Sequence, residues 1–143
     1  MIKSILSIIL ILSISIACNS PEKKVQSKKE DSKTTMTNEN FKNTVEKIRT
    51  SDVYENPKNW EDRGLNPSAQ PVIITLRKAT NNFLDKLEEI VNSNVSSETK
   101  HEQVTNLVDE LPWDELDTEE KEFIADVLAP AVKAAGYDPS KIF

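Results

Sequence analysis

Apolar positions divide this chain into three parts. Ile5 to Ala17 is apolar apart from three serines, Asn19 to Asn40 carries almost no apolar residue, and from Phe41 onward apolar residues recur in steps of three and four. The last spacing is that of helices with one face turned inward, and no alternating run suggests a sheet. The pattern predicts an all-α domain over residues 41–143, a small bundle of about four helices around a long central helix.

Taken in order, Phe41, Val45 and Ile48 predict a first helix over Glu39 to Arg49. A turn-rich stretch follows, in which Asn56 caps a short helix, Pro57 takes its first turn and Gly64 stops it. Ser68 is expected to cap the central helix, which tolerates Pro71 in its first turn. Its stripe is Ile73, Leu76, Thr80, Phe83, Leu87 and Ile90, broadened by Val72, Ala79, Leu84 and Val91, and it ends at Asn92-Ser93-Asn94. Ser96 or Ser97 starts a helix to Leu111, and Pro112 to Leu116 form a turn. Asp117-Thr118-Glu119-Glu120 has the form of a capping box opening the last helix, with a kink or break expected at Pro130 and a stop at Gly136, where Tyr137 folds back.

The apolar run at the start reads as an address. It is about 13 residues long behind Lys3, which suits a secretory hydrophobic region and falls short of the ~20 a spanning helix needs. It closes on Ser15-Ile16-Ala17-Cys18, which resembles the lipobox of bacterial lipoproteins. That resemblance implies cleavage between Ala17 and Cys18 and a diacylglyceryl group on the Cys18 thiol. Ser15 departs from the Leu, Val or Ile usual there, and Ser15-Ile16-Ala17 also satisfies an ordinary small-x-small cleavage site. The expected organisation is a signal peptide over 1–17, a lipidated Cys18 with a disordered tether over 18–40, and the helical domain. The expected location is the cell envelope, exported and lipid-anchored, because two or three acyl chains at roughly 0.8 kcal/mol per buried methylene hold stably. The tether is too polar to repay the entropy of ordering, and its lysines could alternatively touch lipid headgroups.

Charge and composition then narrow the function. From Phe41 onward 12 Lys and Arg face 20 Asp and Glu, a net of −8, which argues against nucleic acid and its need for a basic footprint. The single cysteine leaves no disulfide, so packing must hold the domain. Neither Gly64 nor Gly136 belongs to a phosphate-cradling loop, and no cofactor is indicated. His101, the only histidine, lacks a partner histidine four residues on, so no metal site is predicted.

One patch is unusual. Asp109, Glu110, Asp114, Glu115, Asp117, Glu119, Glu120, Glu122 and Asp126 crowd a short stretch in which Lys121 is the only base. Most such stretches are solvated faces and helix-start acids. The sharper reading is a surface for a basic partner protein, with Trp60, Trp113, Asp114, Glu115, Asp117 and Glu119 as its contact residues. Small acidic lipoproteins of this kind resemble immunity proteins and inhibitors in size, charge and address. Tyr54 and Trp60 either pin their segment to the bundle or face solvent as a partner-gripping pair. The alternative chemistry is an envelope-polymer hydrolase working through two carboxylates, but no catalytic residue is singled out and the expectation is a binding protein. The stretch from Asn56-Pro57-Lys58-Asn59-Trp60 through Gly64-Leu65-Asn66-Pro67, together with Asp117-Thr118-Glu119-Glu120, is similar to a family of uncharacterised small helical domains in exported bacterial proteins, which implies no activity.

Overall fold

The computed structural model describes residues 28–143, with side chains from residue 38 onward. Cys18, the expected signal peptide and the first part of the expected tether lie outside the described residues. Five α-helices follow one another, with no strand among the described residues: α1 (Lys28–Thr50), α2 (Pro57–Glu61), α3 (Gln70–Asn92), α4 (Ser97–Asp109) and α5 (Thr118–Ala134). Single 3-10 turns stand at Trp113–Glu115 and Pro139–Lys141. The all-α expectation holds. α1 begins well before Glu39, because apolar spacing marks only the part of a helix that packs, here Phe41, Val45 and Ile48.

α3 lies at the centre, packed against α1, α4 and α5, and α5 also packs along α1. Leu76, Leu84, Leu87, Val104, Ile124, Leu128 and Val132 are fully buried where these helices meet. The connector between α1 and α3 joins the same core through aromatic rings. Phe123 of α5 receives Tyr54 edge-on at 5.2 Å and Trp60 edge-on at 4.8 Å, with the Arg63 guanidinium 4.6 Å from its ring centre.

The helix ends show how local chemistry sets the boundaries. Asn56 accepts from the Lys58 N–H and caps α2, and Ser96 accepts from the Thr99 N–H and caps α4. Gly64 and Gly136, the only two glycines, stand at φ +76° and +96°. After each, the chain bends back: Leu65 N–H donates to Trp60 O at 3.0 Å, and Tyr137 N–H donates to Val132 O at 3.1 Å. The glycine N–H groups close the inner bonds to Glu61 O and Lys133 O, completing two Schellman turns.

The cap of α3 also differs from expectation, and of the kink or break expected at Pro130 the break does not occur. α3 is capped by Ala69, with no side-chain hydrogen bond; Ser68 stands one residue before the cap, where its hydroxyl donates to a carboxylate of α5. α5 runs unbroken through Pro130. That residue is exposed, so solvent can take the carbonyl that the missing donor leaves behind.

Candidate functional site

The corner between α4 and α5 is built around two buried leucines. Leu111 and Leu116 are both only 6 % exposed and pin the ends of the 3-10 turn Trp113–Glu115. Between them Trp113 packs partly against the core, and its indole N–H donates to Val108 O at 2.8 Å. With both ends and the ring fixed, Asp114 and Glu115 are held facing solvent.

α5 opens immediately afterwards with a complete capping box. Asp117 Oδ1 accepts from the Glu120 N–H and Glu120 Oε2 accepts from the Asp117 N–H, each at 2.9 Å. The Ser68 hydroxyl donates to Glu120 Oε1 at 2.5 Å. Glu120 is therefore a buried structural acid, tying the approach to α3 onto the start of α5. Two more of the nine acids are also engaged: Glu110 pairs with Lys86, and Asp126 with Arg63 at 2.7 Å. Asp109, Asp114, Glu115, Glu119 and Glu122 remain exposed and without an ion pair among the described residues. This half of the patch repels its own charges and gains from a cationic neighbour.

Of the residues singled out in the sequence, Trp113, Asp114, Glu115, Asp117 and Glu119 fall on this turn and the first turn of α5. Trp60 does not belong with them as a contact residue. It is 1 % exposed, its ring rests on Phe123 and its N–H donates to Tyr54 O at 2.8 Å, so it pins α2 to the bundle. An indole of that area gains more inside, once Phe123 offers it a face, than on the surface. It still lines, with Ser68, Asp117, Glu119 and Glu120 among others, a recess of about 260 Å³. His101 is exposed on α4 with its ring 5.9 Å from that of Tyr137. Among the described residues, no three His, Cys, Asp or Glu side chains form a metal-holding group.

A second surface escapes the sequence reading. A shallow groove of about 510 Å³ runs along α3, lined among others by Ile73, Ile74, Arg77, Lys78, Asn81 and Asp85. Arg77 forms its wall. Nε and Nη2 donate to the two Glu55 oxygens at 2.9 and 2.6 Å, and further bonds reach Ile48 O and Ser51 O. The guanidinium holds the Glu55 carboxyl below the usual carboxylate range. The signal was present in the sequence, since Ile74 stands off the stripe of Ile73, Leu76 and Thr80 and must therefore point outward.

Comparisons with known protein families, curated proteins and solved structures give no match. Among the described residues no helix is long and apolar enough to cross a membrane.

Proposed function

We propose that this chain is a lipid-anchored protein of the bacterial cell envelope, whose helical domain binds a basic protein through the acidic corner around Trp113. It acts by binding rather than by catalysis. The observation that carries the binding half is the set of five exposed carboxylates unpaired among the described residues, beside a tryptophan whose ring is already immobilised. A fixed aromatic edge costs little entropy to dock, and the surrounding charge speeds encounter and rejects acidic competitors. The anchoring half rests on Ser15-Ile16-Ala17-Cys18 and on the position of the sole cysteine.

Each half has its own test. Cys18→Ala should move the protein from the membrane to the soluble fraction, and a mature mass without acyl chains would overturn the anchor. For binding, envelope extract is passed over the native chain and over an Asp114→Asn, Glu115→Gln, Glu119→Gln, Glu122→Gln variant. A basic protein should be held by the first, released as salt approaches about 0.5 M, and not held by the second. A partner retained equally by both would place recognition elsewhere.

A further inference from the structure

Three peculiarities coincide in the groove along α3. Ile74 is 58 % exposed, more than Val95 or Phe143, the other exposed large hydrophobics among the described residues. Asn81 has a buried carboxamide oxygen with no hydrogen-bond partner among the described residues. Lys78 is the one lining charge without an ion pair among the described residues, since Glu55 is held by Arg77 and Asp85 by Arg49 at 2.6 Å.

We infer that this groove binds a short extended peptide segment of another protein, one carrying an acidic residue next to an aliphatic one. Its shape selects a linear ligand. Compact small molecules are usually buried over most of their surface, whereas this groove is open along one side. From Gln70 to Asp85 the helix rises about 22 Å, which about seven residues of extended chain would span. The lining supplies the chemistry in order. Ile73 and Ile74 offer apolar contact for an aliphatic side chain, and Lys78 offers an ammonium to a neighbouring carboxylate. Asn81 and Asn82 line the far end with carboxamides, a group that carries the same donor and acceptor as a peptide unit. Arg77 is already engaged by Glu55 and two backbone carbonyls, so it serves as a rigid wall and does not compete for the acid. The expected ligand is opposite in charge to the basic partner of the acidic corner, and the inference does not depend on that reading.

The test is to pan a phage-displayed heptapeptide library against the full chain held in detergent. The selected peptides should share an Asp or Glu flanked by Ile, Leu or Val. Made synthetically with a fluorescent label, they should bind Lys78→Glu and Ile74→Glu at least tenfold more weakly than the native chain. Both positions are exposed, so thermal unfolding by circular dichroism should be unchanged, separating lost binding from lost fold. No enrichment over a detergent-only surface would overturn the inference, as would selected peptides that bind Lys78→Glu undiminished. A Lys- and Arg-rich selection abolished by the Glu115→Gln and Glu119→Gln changes would also overturn it, while supporting the acidic corner.

Discussion

The hydroxyls of Tyr54 and Thr80 meet at 2.8 Å, both residues 0 % exposed. They are a polar pair sealed between the α1–α2 connector and the middle of α3. Leaving one of two such groups unpaired costs about 1–3 kcal/mol, whereas replacing both by apolar groups of like shape is nearly neutral. Thr80→Val should therefore destabilise by roughly that amount, and Thr80→Val with Tyr54→Phe should recover most of it. Urea unfolding of the four chains closes the cycle, and additive losses would show that the two hydroxyls act independently.

The same burial makes the domain sensitive to alkali. Desolvation raises the Tyr54 phenol above its ordinary value, even though Thr80 and Arg77 pull the other way. The unfolded chain then ionises first, so the stabilising difference is whole below about pH 10 and is lost as pH climbs above it. Tyr54→Phe should flatten that alkaline decline, read as the unfolding midpoint between pH 8 and 11.

Glu55 gives the opposite dependence at the acid end. Its carboxyl is held low by Arg77, so its contribution is present at neutral pH and fades as pH falls below about 4. The pair is partly exposed and solvent-screened, which keeps its worth to about 1 kcal/mol or less. Glu55→Gln should be less stable than the native chain at pH 7, and the gap should narrow as pH falls below about 4.

Much of this fold is legible in the sequence because its helix ends carry explicit chemistry. Asn56, Pro57, Gly64, Asp117, Glu120 and Gly136 each predict the role they have. The errors arise where a side chain has a long-range alternative. Ser68 looks like a cap, but it spends its hydroxyl on Glu120, fifty-two residues away. Trp60 looks available until Phe123 is brought against it. The candidate corner is contiguous in sequence and easily found. The α3 groove is assembled from a connector and a helix, so only Ile74 betrays it.

The two Schellman turns make a clean test of backbone conformation. Neither glycine would meet any atom within 4 Å if a Cβ were added, so the penalty for alanine comes from positive φ alone. Gly64→Ala and Gly136→Ala should each cost about 1–2 kcal/mol, with asparagine milder at both sites. Chemical denaturation of the four variants would measure it, and a neutral Gly64→Ala would argue that the first turn forms differently in solution.

Arg77 finally bears on how the molecule comes apart. The stretch from Ser51 to Asn56 has almost no regular structure of its own, and such joints are commonly where proteases nick a chain first. Here one guanidinium rooted in α3 grips Ile48, Ser51 and Glu55 together. Within the helical body, digestion should spare that joint and begin at the exposed Asn94-Val95-Ser96 bend instead.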